Sequence, residues 1–348
     1  MTLQVYETNQ LRPMHAYSFV DVVSHLEWSA DSNFVMIGVQ KRALVFVKSL
    51  HDADWQCKID EGVAGLAFCQ WGPGASHVMT VSEFKVRLSV WCLADKSVQF
   101  IRSPKFDDGR GVAFSPNKKL MALAEKSLQE TGRDSVGLYD VTGNLWDCLH
   151  HFAPDTFDLE GVCFSGDGQH LIVWDCNLKC KLLICQLHFT QEGISSVTPV
   201  QKFQPYENTA LGLRTLTLSP NLQYIVGGFF DQRVRVYNSL SWKELFAFDH
   251  GSLAELTDEN SPKDLNIYCE VDGRSGTVYE ILGKPFKVPA LQAHQLGSKH
   301  DQLPRVGVSL AAVSKDNKYL ATKNECFPTA VWIWDLAAVS LNSVMVHK

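Results

Sequence analysis

A short phrase recurs six times along the chain: an apolar strand, a turn of small or polar residues, then a second apolar strand. In the first half it reads Leu26-Glu27-Trp28-Ser29-Ala30-Asp31, Phe68-Cys69-Gln70-Trp71-Gly72-Pro73 and Phe114-Ser115-Pro116-Asn117. Later it reads Phe164-Ser165-Gly166-Asp167-Gly168, Leu218-Ser219-Pro220-Asn221 and Val313-Ser314-Lys315-Asp316-Asn317. Between the turn residues Ser29, Gly72, Ser115, Ser165, Ser219 and Ser314 the steps are 43, 43, 50, 54 and 95 residues. A short-strand unit with a period of about 40–45 residues predicts an all-β propeller of four-stranded blades. One such unit cannot bury its own apolar face, so each must stack on its neighbours. A chain of 348 residues that is 45% hydrophobic therefore reads as one repeat body, not as two or three independent domains.

Each repeat resolves into four strands. In the first they fall at 25–28, 34–39, 44–50 and 55–60, and in the fifth at 213–219, 224–229, 234–240 and 244–249. These runs are rich in Val, Ile, Leu, Phe, Tyr and Trp and lie between Gly, Pro, Asn, Asp and Ser clusters. Inner and second strands are nearly continuous apolar runs, the pattern of strands covered on both faces. No segment carries a 3.6-residue apolar stripe. Trp28, Trp71, Trp91, Trp174, Trp332 and Trp334 are assigned to packing within strands. Trp55, Trp146 and Trp242 enter outer strands, where edge packing is the simpler reading and partner contact the alternative.

The Trp-Asp dipeptide that names the commonest propeller class is sparse. Trp334-Asp335 closes a third strand, Tyr139-Asp140 is a near match, and Trp91-Cys92 and Tyr237-Asn238 hold the same slot without the acid. Asp231 opens the turn before Val234-Arg235-Val236-Tyr237, where a carboxylate bonds turn amides and holds a tight hairpin. Asp231, Asp335 and Asp140 are therefore assigned structural roles at turns and strand ends. The resulting organisation is partial opening strands at 1–23, five repeats at 24–249, an insertion at 250–305 and a last repeat at 306–348. Within the insertion, strands are expected at 265–271 and 277–282 around Asp272-Gly273-Arg274-Ser275-Gly276, as an extra half-blade or a flap with a disordered shoulder near 293–303. The opening segments 3–7 and 14–20 resemble a third and an outer strand without an inner pair before them, so an unpaired blade edge is expected.

Little of the sequence speaks for catalysis. There is no G-x-x-x-x-G-K-[ST] loop, no G-x-S-x-G elbow and no H-E-x-x-H. Cys176, Cys180 and Cys185 form the densest thiol cluster of the ten cysteines, but they lack paired zinc knuckles and are assigned no metal. His150 and His151, adjacent on a strand, point to opposite faces and cannot share an ion. Asp107, Asp108, Asp258 and Glu259 read as solvated loop carboxylates. With 32 basic against 38 acidic residues and a net charge of −6, nothing draws the chain to nucleic acid or to an anionic membrane. No apolar run reaches the 18 residues needed for a membrane span, and Met1–Val23 lacks a leader's apolar core. A cytosolic protein with reduced thiols, without a cofactor and without enzymatic activity is the expectation.

Whole phrases go further than composition. His25-Leu-Glu-Trp-Ser-Ala-Asp-Ser32, Trp55-x-Cys57-Lys-Ile-Asp-Glu-Gly62 and Met121-Ala-Leu-Ala-Glu125 resemble the centrosomal and spindle-pole family known as WD-repeat protein eight. So do Asp231-x-Arg-Val-Arg-Val236, Tyr319-Leu-Ala-Thr322 and Ala330-Val-Trp-x-Trp-Asp335. Against that pattern the chain lacks the opening inner strands of a first repeat and stops where the family continues, as a truncated form would. The resemblance implies a non-catalytic scaffold at the centrosome, centriolar satellites or spindle pole. Its implied partner is a coiled-coil anchoring protein, with a minus-end kinesin and γ-tubulin-associated proteins as further candidates. Anchoring of microtubule minus ends, spindle assembly and ciliogenesis are the implied roles. The alternative is a substrate or histone-tail adaptor of a ubiquitin ligase or chromatin complex. The docking surface is expected on loops after inner and third strands and on the insertion. Lys41, Arg42, Lys85 and Arg87 are the candidate partner contacts.

Overall fold

The computed structural model describes residues 2–127, 132–179, 181–191, 193–204, 212–273, 276–291 and 306–348. Cys180, the turn residues Arg274 and Ser275 and the shoulder at 293–303 lie outside them. Among the described residues there are strands and four single-turn 3-10 helices, and no α-helix.

Five repeats form four-stranded sheets in which each strand lies beside the next in sequence. The first comprises His25–Trp28, Phe34–Val39, Leu44–Ser49 and Gln56–Asp60. The second comprises Phe68–Trp71, His77–Val81, Arg87–Cys92 and Val98–Arg102, and the third Val112–Phe114, Leu120–Glu125, Ser135–Asp140 and Asp147–Phe152. Second strands carry the deepest burial: every residue of His77–Val81 and of Leu120–Glu125 is buried. A strand apolar on both faces is stable only between two neighbouring layers, so the run of apolar residues and the stacking of sheets are one fact. Four-stranded antiparallel meanders repeated in this way are the blades of a β-propeller, and that is the fold class.

The recurring phrase has a common hydrogen-bonding logic. Ser29 Oγ donates to Asp31 (2.5 Å), Ser115 to Asn117 (2.7 Å), Ser219 to Asn221 (2.7 Å) and Ser314 to Asp316 (2.6 Å). Each hydroxyl also accepts the amide five residues on, from Phe34, Leu120, Tyr224 and Tyr319, all at 2.9 Å. The chain turns back through a left-handed residue three positions after the serine: Ser32, Lys118, Leu222 and Asn317, with Gly168 in the fourth repeat. Serine with Asp or Asn two residues on thus closes the first hairpin of the sheet by local chemistry.

Two compact units divide the chain, and the division falls inside the fourth repeat. Unit one comprises Met1–Phe164, Gly168–Val173 and Gln186–Thr198. Its first two sheets meet where Trp71 donates its amide to Glu27 Oε2 (3.2 Å) and its indole to Glu27 O (3.3 Å). The second and third are clasped by the Gln99 side chain, which donates to Trp146 O (2.7 Å) and accepts the Trp146 amide. Trp146 is fully buried, which settles its role as packing, whereas Trp28 is 49% exposed, because alternate residues of its short strand face outward. The opening hairpin, Thr2–Tyr6 with Pro13–Ser18, is a sheet of its own. It rests on the first repeat through Tyr17 OH to Ser49 O (3.3 Å) and His15 Nε2 to Leu50 O (3.0 Å).

Unit two comprises Ser165–Asp167, Trp174–Cys185 and Pro199–Lys348. Its core joins Val226, Val234 and Phe248 of the fifth repeat to Leu320, Trp332 and Trp334 of the last, with Phe248 stacked on Trp334 at 4.5 Å. The last repeat, Val308–Val313, Tyr319–Asn324, Ala330–Asp335 and Ser340–Val346, is extended by two strands of the insertion. Asn266–Gly273 pairs in parallel with Ser340–Val346, and Gly276–Leu282 pairs antiparallel beyond it. A six-stranded sheet results, ending in an exposed edge that carries Val278, Tyr279 and Ile281.

Candidate interaction face

In each antiparallel meander the second-to-third connections lie at the same end as the connections to the following sheet. The four candidate basic residues fall at that end, Lys41, Arg42 and Lys85 between second and third strands and Arg87 at the start of a third strand, and not after first and third strands. Lys41 and Arg42 occupy the single turn Gln40–Arg42, and both reach Asp21, at 3.6 and 3.1 Å. The Val22 amide, then Arg42 and Lys41, hold the Asp21 carboxyl below its usual range. Lys85, in the turn Glu83–Lys85, reaches Asp107 at 3.9 Å. Arg87 is separate from these. Its guanidinium donates to Glu61 Oε2 at 2.9 Å and lies 4.4 Å from the centre of the Phe100 ring.

Glu61 is the centre of a buried polar network that sequence reading missed. Thr80 Oγ1 donates to its Oε1, and the Trp91 indole N–H donates to both Thr80 Oγ1 (2.9 Å) and Glu61 Oε1 (3.1 Å). Glu61 is 4% exposed and Thr80 fully buried, so their side-chain oxygens must be answered within the protein. The signal lay in the phrase Trp55-x-Cys57-Lys-Ile-Asp-Glu-Gly62. Gly62 and Gly65 both have positive φ, and a β-carbon on Gly65 would sit 2.6 Å from the Glu83 side chain. This phrase threads a buried acid and two left-handed turns into the connection between sheets.

Unit two solves the same problem with a histidine. The Trp334 indole donates to Thr322 Oγ1 (2.8 Å), which also bonds His250 Nε2 (2.8 Å), while His250 Nδ1 bonds Gln232 O (2.9 Å). Burial pushes His250 down to about 4, so the ring is neutral at physiological pH. Of the assigned turn carboxylates, Asp231 accepts the Arg233 amide (3.1 Å) and pairs with buried Arg235 (2.6 Å). Asp335 accepts the amides of Ala337 and Ala338, and Asp140 that of Thr142. These groups spend their bonding capacity on the fold.

The turns at Gly62–Ala64 and Glu83–Lys85 offer an apolar patch to solvent at the loop end of unit one. Phe84 is 91% exposed, Val86 62% and Val63 wholly so, and Glu83 packs over Gly65 between the two loops that carry them. Phe84 and Lys85 are both left-handed, with φ of 59° and 57°. An L-residue in that conformation costs about 1–2 kcal/mol, and here the strain is borne by an aromatic ring held out in water. Ion pairs rim the patch: Lys85 with Asp107, and Arg110 with Asp108 (2.6 Å) and Glu160 (2.5 Å). Among the described residues no group of three His, Cys, Asp or Glu is placed to hold a metal ion. Cys176 and Cys185 are both buried.

Sheets of this build, tied by an indole, a hydroxyl and an acid or imidazole, define a WD-repeat propeller. No protein-family model matches the chain. It is 32% identical to mouse WD repeat-containing protein WRAP73 over 367 aligned positions, which cover 99% of this chain and 74% of that protein. It is 21% identical to the uncharacterized fission-yeast WD repeat-containing protein C32H8.09, over 95% of this chain and 64% of that one. The chain belongs to the WRAP73 family of WD-repeat proteins.

Proposed function

We propose that the chain is a non-catalytic scaffold of the centrosome, centriolar satellites or spindle pole, binding a coiled-coil anchoring protein that holds microtubule minus ends. The observation that carries a docking role is Phe84, a strained and solvent-exposed aromatic beside Val63 and Val86 on a loop rim. An aromatic ring held out in water at a positive φ is a natural contact for a partner. A coiled coil suits this rim: apolar side chains of a helix meet Phe84 and the valines, and flanking charges meet Lys41, Arg42 and Lys85. Spindle assembly and ciliogenesis follow from such tethering. The cellular address rests on the resemblance of the phrases around Glu61, Asp231 and Trp334. Proximity labelling from the tagged chain in dividing cells tests the proposal. Enrichment of coiled-coil pole and satellite proteins is expected, whereas enrichment of ubiquitin-ligase or chromatin subunits would overturn it.

A further inference from the structure

Among the described residues, most basic side chains at the loop end of unit one are paired with carboxylates; three are not. Arg102, Lys126 and Arg133 line one open concavity of about 890 Å³, and among the described residues no carboxylate pairs with any of them. Arg102 ends the fourth strand of the second repeat, while Lys126 and Arg133 flank the second and third strands of the third. The two sheets are joined there by the Lys126 amide, which donates to Ser103 O at 2.9 Å. Hydroxyls of Ser103, Ser127 and Ser135 complete the lining.

The one acid among the described residues of the concavity is already answered. Glu125 accepts the Tyr139 hydroxyl at 2.5 Å and lies 3.3 Å from His151 Nδ1. Burial raises its carboxyl above the usual range. The fold makes room for this group at Gly137, where a β-carbon would lie 2.5 Å from Glu125 Oε1 and 3.1 Å from the His151 ring.

We propose that this concavity binds a phosphorylated side chain of a peptide segment, with Arg102, Lys126 and Arg133 holding the phosphate. A single carboxylate would occupy one guanidinium, whereas a phosphate monoester brings close to two charges and three acceptor oxygens. The cluster is also local. Asp134 follows Arg133 in the chain and is held, together with Asp158, by Lys105, and a negative charge there opposes a polyanion that would run past a single phosphate. That favours one phosphate on a protein over RNA or an anionic bilayer. The inference uses none of the residues assigned to the docking rim and stands apart from the cellular address.

Fluorescence anisotropy on the whole chain tests it, with a labelled nonapeptide pool degenerate except for a central phosphoserine. The phosphoserine pool is expected to bind at least about tenfold more tightly than a serine pool, with millimolar inorganic phosphate displacing it. Arg102→Ala and Arg133→Ala should each weaken binding about tenfold. Because these side chains are exposed, the urea midpoint should not move. The double variant Lys41→Ala, Lys85→Ala should bind as the parent does. Equal binding of the two pools, phosphoserine binding that survives loss of both arginines, or equal weakening by the Lys41 and Lys85 changes would each overturn the proposal. So would preferential binding of phosphoinositide vesicles or of an RNA oligonucleotide.

Discussion

Replacing Phe84 by Asn separates a docking residue from a structural one. The ring is 91% exposed, so its removal forfeits about a tenth of a full Phe burial, roughly 0.3 kcal/mol. Its φ of 59° costs an ordinary L-residue about 1–2 kcal/mol, and Asn tolerates that region at a lower cost. The two terms together predict that Phe84→Asn leaves stability unchanged or raises it by up to about 1 kcal/mol. Phe84→Ala, which keeps the strain, gains nothing. Urea unfolding followed by tryptophan fluorescence reads both variants. Docking should move the other way. Truncating an aromatic anchor costs about 2 kcal/mol or more, close to thirtyfold in affinity, and labelling of pole proteins should fall accordingly. If Phe84→Asn loses more than about 1 kcal/mol of stability, the ring is held by the fold and the docking argument fails.

Thr322→Val removes the oxygen shared by Trp334 and His250 while keeping its volume, and should cost about 2–3 kcal/mol in urea midpoint analysis because a buried indole N–H is left unpaired. Glu61→Ala should cost about 3 kcal/mol by uncoupling Arg87, Thr80 and Trp91, and Glu61→Gln, which keeps one acceptor oxygen for Thr80 and Trp91, should recover part of it in the same assay. His250 gives a pH signature. Its folded pKa of about 4 lies below the unfolded 6.5, so its contribution is complete above 6.5 and falls as the pH drops toward 4. That loss is about 3 kcal/mol over the window, read as urea midpoints against pH, and His250→Gln should flatten it. Gly137→Ala should destabilise by about 1–3 kcal/mol in thermal or urea melts, since its methyl meets Glu125 and Tyr139 at 2.5 and 2.7 Å.

Local chemistry was legible and distant chemistry was not. Ser29 with Asp31, or Ser219 with Asn221, writes a hairpin within six residues, so second strands such as Phe34–Val39 and Tyr224–Phe229 could be bounded from the sequence alone. Other ends shifted by one or two residues where turn bonding takes over, as at Arg233–Asn238, expected at 234–240, where the Asn238 side chain accepts the Leu240 and Ser241 amides. Partners far apart in the chain left no periodic trace. Thr80 and Trp91 lie 19 and 30 residues from Glu61, and Thr322 lies 72 from His250. Parallel addition of Asn266–Gly273 to Ser340–Val346 is equally silent, because each strand looks like any hairpin member. Phe84 reads from sequence as the approach to a strand, and only its positive φ and exposure show otherwise.

The scarcity of Trp-Asp dipeptides follows from the same networks. A buried third-strand aromatic with a polar atom is stabilised when that atom finds a partner, as three of them do here, although the buried Trp332 indole N–H finds none among the described residues. Trp334 finds Thr322 backed by His250, Trp91 finds Thr80 backed by Glu61, and Tyr139 finds Glu125 backed by His151. Any group able to accept one hydrogen bond and reach a second anchor satisfies the requirement, so the signature drifts while the sheet persists. The choice has consequences at the loop end. An acid in this role draws in a cation, as Glu61 takes Arg87, and removes it from the surface. Where the acid is answered by Tyr139 and a histidine instead, as at Glu125, the neighbouring Arg102, Lys126 and Arg133 stay available to a ligand. Converting Glu125 to Gln would keep the Tyr139 acceptor and remove the carboxylate's negative charge. On this account it should tighten phosphoserine binding without moving the urea midpoint by more than about 1 kcal/mol, and weaker binding would show that the acid itself contacts the ligand.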